Sequence, residues 1–185
     1  YDLFCGMVSL QEKLFRNFPQ ASATLHTRSV LEKVVRDRYQ DCLVNEFPEG
    51  LEEILFINGR SLLNSETELN KLGKNQSFII NDTVVAARLS GAELTMLVEP
   101  VQNGMTIDLD KTAIKRQKVD GILVEYIWDL IQANGDQIRS DFTFAIQGRG
   151  DSVIDDGTIT YDENVFIDKT AKIMPHVVVD GSNGP

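Results

Sequence analysis

Two stretches of the chain carry apolar residues at the spacing of one helix face. The first holds Leu31, Val34, Val35 and Tyr39, and the second holds Leu123, Tyr126, Ile127, Leu130 and Ile131. Residues at this spacing share one side of a helix, so the pattern predicts an amphipathic helix in each stretch. Ser-x-x-Glu segments, in which the two side chains satisfy free amides at a helix start, begin at Ser9, Ser29, Ser65 and Ser90. Helices are therefore predicted to begin near these four serines as well.

Short apolar runs without a helical period separate the predicted helices. They are residues 43–44, 54–57, 78–80 and 84–87, and most are bounded by Asn, Asp or Gly. Runs of this kind are typical of buried strands. Because strands and helices alternate, we predict a layered α/β domain over residues 1–150.

The pattern changes after residue 150, where Gly, Asp and Thr punctuate short β-rich pieces. Ile167, Ile173 and Val179 recur every six residues, and Ala171 and Val177 follow the first two at a constant distance. This hexapeptide period is typical of a left-handed parallel β-helix, although an ordinary pair of strands also accounts for it. We expect residues 151–185 to form a linker and the first turn of such a β-helix.

The net charge of the chain limits the kinds of molecule that we expect it to bind. The chain has 18 Lys and Arg against 28 Asp and Glu, a net charge of −10. A negative surface repels nucleic-acid phosphates and anionic lipids, so we expect neither nucleic acid nor a membrane as a partner. Cys5 and Cys42 are too few for a disulfide framework and indicate a reducing, cytoplasmic compartment. No spacing of Cys and His fits zinc, so no metal site is predicted from these residues.

Five short motifs occur in the order in which they occur in one protein family. They are residues 1–7 (Tyr-Asp-Leu-Phe-Cys-Gly-Met), 56–60 (Phe-Ile-Asn-Gly-Arg), 81–88 (Asn-Asp-Thr-Val-Val-Ala-Ala-Arg), 134–142 (Asn-Gly-Asp-Gln-Ile-Arg-Ser-Asp-Phe) and the final hexapeptides. The chain resembles the sugar nucleotidyltransferases related to the bifunctional N-acetylglucosamine-1-phosphate uridyltransferase/acetyltransferase (GlmU-like proteins). The resemblance covers nearly the whole chain.

The resemblance implies a nucleotidyltransferase-like (Rossmann-like) domain that acts on a sugar phosphate or a nucleotide sugar. It implies that a left-handed β-helix follows, which transfers an acyl group or assembles homotrimers, and that the complete protein uses Mg²⁺. In that family a Thr-Arg-Pro segment precedes the stretch that matches Tyr1, and further coils follow the stretch that matches Pro185. We therefore expect this chain to be a fragment.

One departure from the wider superfamily concerns the metal. Its members end a central strand on Gly-Asp, whose carboxylate binds the metal, whereas Asn58, Gly59 and Arg60 stand at the matching position of this chain. Arg cannot ligate Mg²⁺, but it can hold a phosphate at the carboxyl end of a strand. Asn-Gly is also a frequent turn pair, so a purely structural turn explains the same residues.

Four more residues are candidate ligand contacts: Asp82, Arg88, Asn134 and Asp141. Asp82 lies in a predicted turn between two strands, and Arg88, near the end of the second strand, contacts either an anionic ligand or a surface carboxylate. By resemblance to the sugar-binding end of related transferases, Asn134 contacts hydroxyls and Asp141 is the surviving carboxylate. The alternative is a helix that stops at Asn134-Gly135, followed by a short helix with an Asp136–Arg139 pair.

The catalytic residues stay unassigned, because neither His26 nor His176 lies in a pattern typical of a catalytic base. The basic run at 115–118 (Lys-Arg-Gln-Lys) either recognises phosphate or is an exposed polar loop. Two functions follow from these observations. The first is an enzyme of sugar-nucleotide metabolism, and the alternative is a catalytically degenerate nucleotidyltransferase-like module that serves in binding or oligomerisation.

Overall fold

The computed structural model describes residues 2–63, 69–102, 109, 114–147, 159–161, 165–168 and 170–184. The chain divides into two compact units. The central unit comprises Leu14–Glu125, and the terminal unit combines Tyr1–Lys13 with Tyr126–Pro185. The predicted domain boundary at residues 150 and 151 lies outside the described residues and stays a prediction.

The helices and strands are named in chain order. They are β1 (Phe4–Cys5), β2 (Val8–Ser9), α1 (Leu10–Asn17), β3 (Thr24–Leu25), α2 (Ser29–Arg38), β4 (Leu43–Val44), β5 (Glu53–Ile57), β6 (Ser61–Leu63), β7 (Gln76–Ile80), β8 (Thr83–Ser90), α3 (Gly91–Gln102), β9 (Lys115–Lys118), β10 (Gly121–Leu123), α4 (Ile127–Gln147), β11 (Ile159–Tyr161) and β12 (Val178–Asp180). Each of the four predicted apolar runs lies in a strand, and the mixed α/β class is confirmed. Among the described residues, no helix has the length and apolarity that crossing a membrane requires.

A four-stranded sheet in the order β5-β8-β7-β9 forms the core of the central unit. Strand β8 is antiparallel to both β5 and β7, whereas β9 is parallel to β7. It follows that β5, β7 and β9 all run in the same direction. Their carboxyl ends therefore meet at one edge of the sheet, which we call the carboxyl edge.

Both faces of the sheet are buried at β8, which explains the near-continuous apolar sequence of this strand. On one face, Ala87 and Leu89 of β8 pack with Leu94 and Leu97 of α3. On the other face, Val85 and Ala86 pack with Leu69 and Leu72. Both members of the Val85-Ala86 pair face the same side because the register between β7 and β8 shifts at Phe78/Ile79. The sheet is thus a rigid base for the loops at its carboxyl edge.

The helix start predicted from the Ser-x-x-Glu signature at Ser9 is confirmed. The Ser9 amide donates to Glu12 Oε2 at 2.8 Å, and the Glu12 amide donates to Ser9 Oγ at 3.2 Å. The Ser9 hydroxyl also donates to Glu12 Oε2 at 2.6 Å, and this bond together with the one from the Ser9 amide stabilises the charged carboxylate and lowers the pKa of Glu12 below its usual value. Helix α1 therefore begins with the predicted capping box.

The capping box predicted from the same signature at Ser29 is wrong. Ser29 lies inside α2, where Arg28 is the capping residue and makes no side-chain capping bond. Glu32 instead accepts hydrogen bonds from Arg36 at 3.0 Å and from Asn45 at 3.1 Å. The predicted helix itself is confirmed, but its residues are not buried, and Val34 is 64 % exposed. Helix α3 begins directly after Ser90 as expected, and Ser65 with Glu68 lies outside the described residues.

Helix α4 departs from the sequence prediction at both points where a boundary was expected. Leu123 belongs to β10, and the helix begins at Ile127, where the Tyr126 amide donates to Asp129 Oδ2 at 2.9 Å. The helix then continues through Asn134 and Gly135 to Gln147, so the alternative interpretation of this segment, a stop at Asn134-Gly135 followed by a separate short helix, is wrong. The expected Asp136–Arg139 ion pair is confirmed at 2.8 Å.

Candidate functional site

Turns follow the strands whose carboxyl ends meet at the carboxyl edge. Asn58, Gly59 and Arg60 follow β5, Asn81 and Asp82 follow β7, and residues 119–120 follow β9. Adjacent strands are about 4.8 Å apart, so the first two turns lie about 10 Å from each other with β8 between them. In sheets of this kind ligands bind beyond the carboxyl ends of the strands, which makes this edge the candidate site.

The turn after β5 is held by its own polar groups. Asn58 Oδ1 accepts a hydrogen bond from the Arg60 amide at 3.0 Å, and Asn58 Nδ2 lies 3.4 Å from the Val84 carbonyl oxygen. The Ser61 hydroxyl donates to the Asn58 carbonyl at 2.7 Å. Arg60 is exposed, and its guanidinium lies 3.5 Å from the Val124 carbonyl oxygen. Asn58 therefore stabilises the turn, and Arg60 presents a positive charge beside it.

The turn after β7 is a two-residue hairpin connection. Asn81 and Asp82 have φ values of 47° and 62°, and Ile80 pairs with Thr83 across the turn. Asn and Asp tolerate this left-handed conformation better than other residues with a Cβ, which explains their presence. The turn expected from sequence is thus confirmed, and both side chains are exposed at the carboxyl edge.

An open cleft of about 600 Å³ lies at the ends of β7 and β9. Its polar lining residues are Lys71, Asn81, Asp82, Gln117, Lys118 and Asp120. Only Asp82 of these was singled out as a site residue from sequence, and Lys118 belonged to the basic run at 115–118. That run was open to interpretation as an exposed loop, but it forms β9, the edge strand that pairs with β7. The cleft has both cationic and hydrogen-bonding groups, which suits a polar anionic ligand.

Gly121 also lines this cleft. A Cβ at this position would lie 2.9 Å from Ile80 Cδ1 and 3.1 Å from the Leu62 carbonyl oxygen. Both distances are tighter than ordinary van der Waals contact. The absence of a side chain at Gly121 therefore allows β10 to approach β7 and β6 closely.

Arg88 lies away from the carboxyl edge. It pairs with Leu55 and with Gln76, the first residue of β7, about 17 Å along β8 from Thr83. Its guanidinium lies 3.7 Å from Glu53, and its side chain is 27 % exposed. The ion pair considered from sequence is present, and the structure does not bring Arg88 together with Asp82.

Asn134 and Asp141 lie on α4 and contact the hairpin between β1 and β2. Asn134 Oδ1 accepts a hydrogen bond from the Gly6 amide at 2.7 Å, and Asp141 Oδ2 accepts one from the Met7 amide at 2.9 Å. Asp141 also forms an ion pair with Lys13 at 2.5 Å. Asp141 is 2 % exposed, so these bonds hold the hairpin against the helix in a buried setting.

The close approach of that hairpin requires Gly6. Its φ is 84°, and a Cβ at this position would collide with Asp141 Oδ2 and lie 2.9 Å from the Gln137 carbonyl oxygen. The neighbouring Cys5 thiol lies 3.4 Å from the Leu130 carbonyl oxygen, and burial raises its pKa. We call Gly6, Met7, Lys13, Asn134 and Asp141 the hairpin clasp.

The groups around the end of β5 do not fit Mg²⁺. The ion prefers oxygen ligands, chiefly carboxylates and water. Here Asn58 Oδ1 already accepts a hydrogen bond from Arg60, and the adjacent side chain is a cation. In the part of the chain that the structure describes, no three His, Cys, Asp or Glu side chains converge as metal ligands would.

The two histidines lie outside the cleft. The centre of the His26 ring lies 4.7 Å from that of the Phe47 ring, with the planes tilted by 33°, and His26 Nε2 lies 3.0 Å from Thr24 Oγ1. Burial disfavours the charged imidazolium and lowers the pKa of His26. His176 is exposed, with a φ of 66°.

Comparison with known proteins adds one finding. The sequence model described as sugar nucleotidyl transferase matches residues 1–150 of the chain. The search of curated proteins returned no significant match. The matched range includes the carboxyl edge, the cleft and the hairpin clasp.

Proposed function

Because the chain belongs to the sugar nucleotidyl transferase family, we propose that it acts in sugar-nucleotide metabolism on a sugar phosphate or a nucleotide sugar. The cleft at the ends of β7 and β9 carries this proposal, with Arg60 and Asp82 nearby on the same edge. It is large enough for a sugar phosphate, and its lining combines cations with hydrogen-bond acceptors. A GlmU-like substrate, N-acetylglucosamine 1-phosphate with UTP, is the specific form of the proposal.

Nucleotidyl transfer in this site would join two phosphorus compounds. An oxygen of the sugar phosphate attacks the α-phosphorus of the nucleoside triphosphate, the α–β phosphoanhydride bond breaks, and pyrophosphate leaves. Such reactions depend mainly on positioning and on neutralising phosphate charge. Arg60 would neutralise charge, and Asp82 would accept hydrogen bonds from hydroxyl groups. Mg²⁺ stays a proposal for the complete protein, since the end of β5 does not supply its ligands.

Arg88, Asn134 and Asp141 remain predicted ligand contacts. Arg88 has an ion pair with Glu53, and the other two accept hydrogen bonds from the Gly6 and Met7 amides of the hairpin. A substrate role for any of them requires the ligand to compete with these partners. We therefore rank Gly59, Arg60 and Asp82 ahead of them. Asn58, whose amide is engaged within its turn, remains a predicted contact of the same rank as Arg88, Asn134 and Asp141.

We also propose that residues 151–185 begin a left-handed β-helix, which in a longer chain would support trimer formation and acyl transfer. Two features favour this. Ile159 of β11 pairs in parallel with Val178 of β12, an offset close to the roughly 18 residues of three hexapeptides. The period-six residues Ile167, Ile173 and Val179 are all half-buried. Localisation in the cytoplasm, where both cysteines stay free, belongs to the same proposal.

The alternative function is a catalytically degenerate module that binds the ligand without turning it over. The specific observation in its favour is the turn after β5, where a cation replaces the metal-binding carboxylate and Asn58 is engaged by Arg60. Thermal-shift and product assays with UTP, N-acetylglucosamine 1-phosphate and Mg²⁺ separate the two. Metal-dependent release of pyrophosphate supports the enzyme, whereas a thermal shift without product supports the binding module. Neither a shift nor a product would contradict both.

A further inference from the structure

We infer that Lys71 and Lys118 are the phosphate-binding pair of the cleft, and that Asp82 and Asp120 select hydroxyl groups of the same ligand. This inference deepens the proposed function and rests on it. It assigns the ligand's charged group to two residues outside the motifs that carry the family resemblance.

Lys71 is directed to the cleft by its neighbours in sequence. Leu69 and Leu72 are each 1 % exposed and belong to the apolar cluster on one face of the sheet. Because both flanking leucines are anchored in that cluster, the backbone at Lys71 has little freedom to turn. The lysine side chain is exposed and lines the cleft.

Lys118 is directed to the cleft by strand pairing. It is the last residue of β9 and lies opposite Ile79 of β7. The Val119 amide extends the ladder with a hydrogen bond to the Ile79 carbonyl at 3.2 Å. Lys118 is therefore held on a fixed backbone, although its side chain is exposed.

Lys71 and Lys118 supply local positive charge on a chain that is negative overall. A chain with a net charge of −10 repels a phosphate in general, so an anionic ligand needs local cations. Among the described residues, neither Lys71 nor Lys118 is paired with a carboxylate. Lysine is a compact charge with three donors and can follow a phosphate in several orientations. The two carboxylates in the same lining repel phosphate and accept hydrogen bonds from hydroxyls, so together the four side chains suit a phosphorylated sugar.

The test uses pyrophosphate as a probe of the charged group alone. The full chain is titrated in EDTA at constant ionic strength, and amide chemical shifts are followed by NMR. We expect saturable shifts around the cleft, and we expect Lys71→Met and Lys118→Met each to weaken binding about tenfold, as loss of a charge-assisted bond does. The matched control is Lys115→Met, which removes the same charge from the same strand at a residue that does not line the cleft.

Lys115→Met is expected to change the dissociation constant by less than about twofold. Equal weakening by all three substitutions would show that general charge attracts the probe, and it would overturn the assignment. Wild-type chain without saturable shifts would overturn it too. Thermal melts of the variants check that the substitutions at these exposed positions leave the fold intact.

A cleft-filling variant, Gln117→Trp, separates failure of this inference from failure of the proposed function. Gln117 is an exposed strand residue in the lining, and the change alters no charge. If Gln117→Trp abolishes binding of a sugar 1-phosphate while the two lysine variants bind pyrophosphate normally, only the phosphate assignment fails. If Gln117→Trp leaves binding of the sugar 1-phosphate unchanged, the cleft is not the ligand site and both fail.

Discussion

Removing the charge of Asp141 while Lys13 remains is expected to destabilise the terminal unit severely. The side chains of Lys13 and Asp141 are 11 % and 1 % exposed, so their ion pair at 2.5 Å is almost completely shielded from water. Asp141→Asn keeps the shape of the side chain but leaves the Lys13 ammonium buried without its counter-charge. Breaking a buried pair in this way costs about 3–5 kcal/mol of unfolding free energy.

The assay is urea unfolding of the full chain, followed by the fluorescence of Trp128. This is the single tryptophan of the chain, and it lies on α4 near the clasp. The matched control is Asp136→Asn, which breaks an ion pair on the same helix with side chains that are 69 % and 83 % exposed. We expect the control to cost at most about 0.5 kcal/mol, since exposed pairs at helical spacing contribute little.

A second substitution tests the cause. In the double variant Lys13→Met with Asp141→Asn no charge is buried, and the Asn oxygen can still accept from the Met7 amide. We expect this variant to recover most of the lost stability, because a buried pair replaced by neutral groups is often nearly neutral. If the unfolding free energies of the Asp141→Asn variant and the Asp136→Asn control differ by less than about 1 kcal/mol, the clasp does not stabilise the unit. A ligand-binding role of Asp141 would then gain support.

Three further predictions concern the central unit. Arg60→Ala is expected to weaken binding of UTP about tenfold without changing the melting temperature, and unchanged binding in titration calorimetry would remove Arg60 from the site. Gly121→Ala is expected to cost about 1–3 kcal/mol in urea unfolding, because its Cβ meets Ile80 and the Leu62 carbonyl, and a neutral result would mean that β10 shifts freely. Since burial lowers the pKa of His26, the unfolded chain binds a proton more readily, and stability is expected to fall as the pH drops below the usual value of 6.5. His26→Phe should flatten that dependence in pH-resolved melts, and an unchanged slope would assign it to other groups.

The strands were predictable because the residues of each strand themselves show, by being apolar at successive positions, that the strand is buried. The runs that became β5, β7 and β8 are apolar at successive positions, as strands with two covered faces must be. The capping box at Ser9 was predictable for the same reason, since both of its partners lie within one turn. The identical signature at Ser29 predicts a capping box that does not form, because Glu32 accepts hydrogen bonds from Arg36 and Asn45 instead. The local sequence pattern contains no information on the contact with Asn45.

The helix through Asn134 and Gly135 shows how a tertiary contact overrides a local stop signal. Asn-Gly favours a helix end, and Gly costs about 1 kcal/mol in a helix interior. In the folded chain, however, Asn134 accepts a hydrogen bond from the Gly6 amide, and Asp141, about two turns further along the same helix face, binds the Met7 amide and Lys13. A continuous helix places both side chains against the same hairpin, which two separate helices would not guarantee.

The sequence by itself determined the α/β class, the buried strands, the turn at Asn81-Asp82 and membership of a sugar nucleotidyl transferase family, because each depends on neighbouring residues or on short motifs. Only the tertiary structure decided which polar residues share a site. Lys71, Asp82 and Lys118 come from separate segments. Parallel pairing of β9 with β7 brings Lys118 to the cleft beside Asp82, and the burial of Leu69 and Leu72 in the core fixes the backbone at Lys71. Asn134 and Asp141 have the residue types of a ligand site, but their partners are the backbone of the β1–β2 hairpin and Lys13 of α1, more than a hundred residues away. Such contacts leave no local pattern, since the hydrogen bonds that define them form only after the chain has folded.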